Sequence, residues 1–254
     1  MEFNAIYVIV AREFKKFIRE RSRLFSAIAR PLLWLFIVGA GLSRLVPSDT
    51  GVSYTQFIFP GILGMTILFS SIFSSISIIW DKEFGFMKEI LVAPVSRLSI
   101  VVGKALSGTI VSTIQAAIIL ALFPILGFNL SVVQIIAVIF ICAFTSFSIS
   151  AFGIVLATFY ESYESFSVIM NFIVMPMFFL SGAMYPVKLL PDILQICAKI
   201  NPLTYGIDAM KHVIFKFETG PMSPDFFFVV DAAVIILTSV IFVLIAGKAF
   251  ERKG

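Results

Sequence analysis

Six apolar runs, each near or beyond the length needed to cross a bilayer, leave this chain few ways to fold. They cover about 27–46, 57–80, 100–126, 132–159, 165–184 and 226–247. A membrane helix needs roughly 20 mostly apolar residues. In lipid, every backbone N–H and C=O must be paired within a helix or around a closed barrel. The runs lack the period-two alternation of barrel strands. The prediction is therefore an all-α integral membrane protein with six transmembrane helices. Composition agrees, with 13% charged residues and 29 Phe, where a soluble domain carries about 25% charged residues. The length outside the runs is too small for a soluble domain of ordinary size, so residues 1–254 read as one transmembrane domain. The N-terminus does not read as a cleavable signal peptide, because its charged region is long and no small-residue cleavage site follows it.

Lys and Arg in short loops set orientation. The N-terminal segment holds Arg12, Lys15, Lys16, Arg19, Arg21 and Arg23, the 81–99 loop Lys82, Lys88 and Arg97, and the C-terminal tail Lys248, Arg252 and Lys253. The loops at 47–56 and 127–131 hold none. Six spans with both termini in the cytoplasm satisfy this pattern, in a cytoplasmic (inner) membrane. The acidic 160–164 turn and the lysines of 185–225 run mildly against it, and Asp192, Asp208, Glu218 and Asp225 balance those lysines.

Three segments outside the spans carry the functional expectations. Residues 1–25 place Phe3, Ile6, Tyr7, Val10, Phe14, Phe17 and Ile18 on one helical face, with the basic residues elsewhere, which predicts an interfacial helix in the headgroup plane. Residues 185–225 contain two short amphipathic pieces split by Asn201-Pro202, which predicts a broken external hairpin dipping back into the membrane. Residues 81–97, Asp-Lys-Glu-Phe-Gly-Phe-Met-Lys-Glu-Ile-Leu-Val-Ala-Pro-Val-Ser-Arg, form a charged amphipathic insert between two spans. A membrane protein with so little soluble mass meets a cytoplasmic partner through such an insert.

Catalytic chemistry is not written into the chain. His212 is the single histidine, and no Cys or Glu cluster accompanies it in sequence; neither a metal site nor a cofactor is expected. Cys142 and Cys197 are expected to be free thiols. Gly103-Lys104 and Gly247-Lys248 are the only Gly-Lys pairs, and both lack the upstream Gly and following Ser or Thr of a phosphate loop. Ionisable residues are sparse at the span centres, and Arg30, Arg44, Lys104 and Asp231 fall near span ends, within snorkelling reach of headgroups. Asn171 is the main strongly polar mid-span residue, five positions before a kinking Pro176. Small residues instead form stripes: Ala143, Ser146, Ser150, Gly153 and Ala157; Gly103 with Ser107; Gly108 with Ser112; and the serines of the second span. Such spacing lets helices approach closely. The alternative is that Ser70, Ser74 and Ser77, with Asn171, line a translocation path.

Four motifs in order carry a family resemblance. Phe59-Pro60-Gly61-Ile62-Leu63-Gly64-Met65 opens the second span. Asp81 to Glu89 leads to Ala93-Pro94-Val95-Ser96-Arg97. Leu180-Ser181-Gly182-Ala183-Met184-Tyr185-Pro186 closes the fifth span, and Asn201-Pro202-Leu203-Thr204-Tyr205-Gly206-Ile207-Asp208 follows. Across its whole length the chain resembles the permease subunit of an ABC-2 type ABC transporter, near the daunorubicin-resistance and nodulation-factor export branch. The resemblance implies a half-permease that pairs with a second permease, a copy or a relative, and docks two ABC ATPase subunits, which bind MgATP. It implies an ATPase-coupling region of Asp81, Lys82, Glu83, Phe84, Gly85, Phe86, Met87, Lys88 and Glu89, ended by Pro94 and Arg97. It also implies a re-entrant hairpin containing Asn201, Pro202, Tyr205, Gly206 and Asp208.

The function expected is the membrane subunit of an ATP-driven exporter of a drug, lipid, glycolipid or polysaccharide. Its partners would be ATPases, a second permease and lipid, and not nucleic acid. The alternatives are an ATP-independent carrier or channel, for which mid-span ionisable residues are the expected mark, and a membrane-embedded enzyme.

Overall fold

A thirty-residue helix organises the molecule. The computed structural model describes residues 2–20, 28–43, 53–92, 94–127, 129–215 and 223–251. Of the basic and acidic residues named above, Arg21, Arg23, Arg44, Glu218, Arg252 and Lys253 lie outside them, as does Lys216 of the 185–225 segment. No strand occurs among the described residues. The helices are α1 (Phe3–Arg19), α2 (Ile28–Leu42), α3 (Tyr54–Glu83), α4 (Phe86–Val92), α5 (Arg97–Leu120), α6 (Val132–Phe159), α7 (Tyr163–Phe179), α8 (Asp192–Ile200), α9 (Pro202–Ile214) and α10 (Phe228–Glu251).

Four of them, α3, α5, α6 and α10, are long and apolar enough to cross a membrane. The apolar stretch of α3 is 83% buried within the protein, against 33% for α6 and 17% for α10. Thus α3 is the central post, and α10 is a peripheral helix whose Ile236, Leu237, Val240 and Leu244 face outward. These outer apolar side chains are about half exposed, and a lipid environment is what makes such a surface stable. The described parts of α2 and α7 are shorter.

Small residues bring the post and its neighbours together. Ser71 Oγ lies 2.8 Å from Ser112 Oγ of α5. A Cβ on Gly108 of α5 would collide with Ser74 of α3 and Ser150 of α6, so the predicted stripes pack within one bundle. Where residue types change, the helices end. Ser53 caps α3 in a reciprocal box with Gln56, and Ser131 does the same for α6 with Gln134. Helix α5 stops at Leu120, short of the apolar run's end, and a single turn at Phe123–Leu126 follows around Pro124. In α7 the turn before Pro176 widens to a π-helix at Met170–Val174; Pro176 has no N–H to continue the regular ladder.

The bundle has two polar ends. One gathers the start of α3, the turn at Leu126 (Gln56 Nε2 to its carbonyl, 2.9 Å), Met184 (accepting from Tyr54 Oη, 3.1 Å) and the α8–α9 pair. At the other, α1 lies across α5 and the end of α3, and the C-terminal turns of α6 and α10 meet α3 and α5 respectively, through Lys82 and through Gly247 against Leu98.

Candidate functional site

The 81–97 insert leaves the bundle at the end of the central post. Phe84 closes α3, and Gly85 takes φ +80°, a left-handed conformation that costs other residues about 1–2 kcal/mol. Nothing lies within 4 Å of a Cβ placed on Gly85, so the reversal, not crowding, requires the glycine. Helix α4 follows, and Ser96 caps α5 by accepting from Ser99 N. Glu83, Phe84, Gly85, Phe86, Glu89 and Pro94 are exposed, with Phe84 and Phe86 at 70% and 53%. Met87 is buried in the core, and Arg97 is half-buried. The side chains of Lys88, Ile90 and Leu91 lie outside the described residues.

Two residues of this stretch point inward. Lys82 Nζ donates to the carbonyls of Ala157, Thr158 and Tyr160 at 2.7, 3.1 and 3.0 Å. It thereby satisfies the carbonyls left over at the α6 C-terminus and complements that helix's negative end. Asp81 accepts from Lys104 of α5 at 2.5 Å and faces Arg12 of α1 at 3.3 Å. Lys104, only 4% exposed, also reaches Glu13 (3.1 Å) and Ser77 (3.0 Å). Lys16 lies 4.3 Å over the Trp80 ring. The insert is thus rooted in a buried polar junction of α1, α3 and α5.

This junction corrects the expectation for Lys104, which does not snorkel to headgroups: α1 folds over it and supplies a carboxylate instead. Burial opposes the charged form of Glu13, but Lys104 and Arg12 outweigh it and hold the carboxyl below its ordinary range. On α1 itself, Ile6 and Phe17 are buried, while Phe3, Tyr7 and Ile18 are exposed.

The α8–α9 pair forms where predicted, with Asn201 at the break. Asn201 Oδ1 accepts from Leu203 N (3.1 Å), its Nδ2 donates to Met177 O (2.7 Å), and Pro202 starts α9. Tyr205 donates to Lys199 O at 2.7 Å. Gly206 lies so close to Thr145 of α6 that a Cβ would collide; Gly61 meets the Ala183 backbone and Gly64 meets Ile207 in the same way. Asp208 is buried and accepts from Asp225 N (2.8 Å) and Phe226 N (2.8 Å). Lys211 Nζ stands 3.9 Å from Asp208 and 3.7 Å from Asp225. Asp231, in the first turn of α10, is wholly buried rather than reaching outward.

Within one chain the expected path residues differ in exposure. Ser70 and Ser77 are buried and Ser74 half-buried; Ser74 Oγ donates to Ser71 O within α3 and lies against Gly108 of α5, and Ser77 accepts from Lys104 of α5. Asn171 is exposed on α7 with its amide toward Ser167 O.

The sequence model of the ABC-2 type transporter family matches residues 4–215, which holds α1, the insert and the α8–α9 pair. This chain belongs to the ABC-2 type transporter family. The ycf38 protein of Cyanophora paradoxa, named as a transport permease, is 33% identical over 257 residues, covering 97% of this chain and 88% of its own length. Its namesake in Porphyra purpurea is 28% identical, covering 82% and 73%. Nodulation protein J of Rhizobium leguminosarum bv. trifolii is 29% identical, covering 75% and 73%. The protein is thus a multi-pass membrane subunit of an ABC transporter, a permease rather than an enzyme. Two features of this ABC-2 permease escaped the sequence reading: the Lys104 junction and the buried Asp208–Lys211–Asp231 group. In each, partners 17–91 residues apart in sequence meet through tertiary packing.

Proposed function

We propose that this permease is the membrane half of an ATP-driven exporter, and that separate ATPase subunits dock on the 81–97 insert. The observation that carries the reading is the exposure of Phe84 and Phe86 beside Glu83 and Glu89, on a turn whose base is tied into the bundle by Asp81 and Lys82. An exposed aromatic pair with a charged rim is what a protein groove recognises, and a firm base passes movement on to α3, α5 and α6. Met87 belongs to the base rather than to the contact.

Around this core we infer the remaining arrangement. Six spans cross the cytoplasmic membrane, α2 and α7 being the described parts of two of them, with the α1 end inside. Arg12, Lys15, Lys16, Arg19, Lys82, Arg97 and Lys248 cluster at that end, as the positive-inside rule asks. The exposed Phe3, Tyr7 and Ile18 of α1 suit a helix lying in the headgroup layer. The α8–α9 pair is the re-entrant hairpin, since α9 is almost wholly buried among α3, α6 and α10 while α8 turns Ile193, Ile196 and Ile200 outward. Two permeases and two ATPases form the transporter, and the cargo is amphipathic. The last inference draws on relatives whose names refer to nodulation and multidrug transport.

The test is reconstitution with the cognate ATPase. Gly85→Arg should leave membrane insertion intact and lower stability by no more than the about 1–2 kcal/mol that its left-handed φ costs. Glu83→Ala with Glu89→Ala should leave both insertion and unfolding temperature intact. Each should abolish both ATPase stimulation and cargo movement. Full stimulation by these variants refutes docking at the insert. Buried Asp208 and Asp231 favour an ATP-independent carrier as the second reading; transport by the permease alone, without ATPase, would establish it.

A further inference from the structure

Among the described residues, the α8–α9 end of the bundle holds three buried carboxylates and one buried ammonium. The side chains of Asp208, Asp225 and Asp231 are 2%, 4% and 0% exposed. One buried ammonium, Lys211, serves Asp208 and Asp225. Asp225 also accepts from Val187 N and Lys188 N, both at 3.1 Å. Asp231 differs: both its oxygens are fully buried and accept no hydrogen bond from the described residues. A carboxylate left so is costly, and an orphaned buried group in a native protein calls for an ion, a water or a proton.

The surroundings of Asp231 are those of a cation site. Asp208 and His212 stand four residues apart on one face of α9, and Asp231 comes from the first turn of α10. One ligand atom from each of the three lies within 4.8 Å of the others. His212 Nε2 is 3.7 Å from Asp231 Oδ2 and 2.8 Å from the Phe226 carbonyl oxygen. His212 is 30% exposed and gives the cluster an opening to the surface.

We propose that Asp208, His212 and Asp231, with the Phe226 carbonyl, bind a divalent cation such as Zn²⁺ or Mn²⁺. Two carboxylates, an imidazole and a carbonyl form a mixed nitrogen–oxygen set suited to such ions. Without the ion, His212 donates Nε2–H to Phe226 O. With it, the imidazole carries its proton on Nδ1, and Nε2 and the carbonyl become neighbouring ligands. The ion supplies the positive charge that Asp231 lacks and ties α9 to the start of α10. The hairpin is then clamped to the bundle by a ligand that can leave. The proposal is independent of whether an ATPase docks on the insert.

The test uses the full-length protein, purified through a tag without histidine, stripped with a chelator and titrated in nanodiscs with Zn²⁺ and with Mn²⁺. Wild type should hold one ion per chain by elemental analysis and unfold at a higher temperature with the metal. Asp231→Asn and His212→Gln should each weaken binding about tenfold or more. Metal-free Asp231→Asn should unfold at or above the wild-type temperature, because it removes an orphaned charge without changing shape; this separates lost ligation from misfolding. Equal binding by wild type and by the double variant D231N/H212Q overturns the proposal. So does a chelated wild type that is insensitive to metal and loses stability as pH rises through the histidine range, since an imidazolium would then be the missing charge.

Discussion

Replacing Lys104 by Met keeps the side chain's length and removes its charge, and the structure sets the size of the effect. The ammonium holds Asp81, Ser77 and Glu13 at 2.5, 3.0 and 3.1 Å. It is 4% exposed and both carboxylates are 13% exposed, so water screens the contacts little. Removing one partner of a buried ion pair costs about 3–5 kcal/mol. Arg12 remains, 2.9 Å from Glu13 and 3.3 Å from Asp81, but it is half exposed and offsets only part. The lower bound, about 3 kcal/mol, is therefore expected. At about 2–4 °C per kcal/mol for a chain of this size, the unfolding temperature should fall by about 6–12 °C. Thermal unfolding in micelles, followed by tryptophan fluorescence, measures it, since Trp80 sits beside the junction under Lys16. Adding Asp81→Asn to Lys104→Met should recover more than about 1 kcal/mol relative to additivity. A fall under about 2 °C, or strict additivity in the double variant, would refute the claim that this lysine holds α1, α3 and α5 together.

Two further outcomes test the same physical picture. Gly61→Ala places a Cβ 2.7 Å from the Ala183 Cα and should cost about 1–3 kcal/mol; Gly41→Ala, with nothing within 4 Å, should be neutral or slightly stabilising in the same unfolding assay. Because the Glu13 carboxyl is held below its ordinary value of 4.5, its stabilisation is complete above that pH and disappears as pH falls through the lower folded value. Acid unfolding below about pH 4.5 should therefore be steeper in wild type than in Glu13→Gln.

How much of this was legible in the sequence varies with the kind of interaction. The apolar run 132–159 coincides with α6, because Ser131 and the polar 160–164 turn bound it on both sides. The 100–126 run overshoots α5, since apolarity continues through Pro124 where helical geometry cannot. Asn201-Pro202 marked the break between α8 and α9 correctly, because capping and proline stereochemistry are local. Lys104 and Asp231 were misread as end residues free to reach headgroups. Position along a helix was visible, but the segment that covers that position was not: α1 lies over Lys104, and α9 and Phe226 close on Asp231.

The sequence by itself determined that the chain is helical and belongs in a membrane, that Ser131 starts α6 and Asn201-Pro202 separates α8 from α9, and that the insert at 81–97 is charged and amphipathic. These follow from transfer of side chains to lipid and from backbone chemistry, both properties of short stretches. Only the tertiary structure decided which charges are buried and with whom. It turned Asp81 and Lys82 inward while leaving Phe84 and Phe86 outside. It also left both carboxylate oxygens of Asp231 without a hydrogen-bond donor among the described residues. Burial and pairing depend on residues brought together from distant parts of the chain, and no local pattern encodes that meeting.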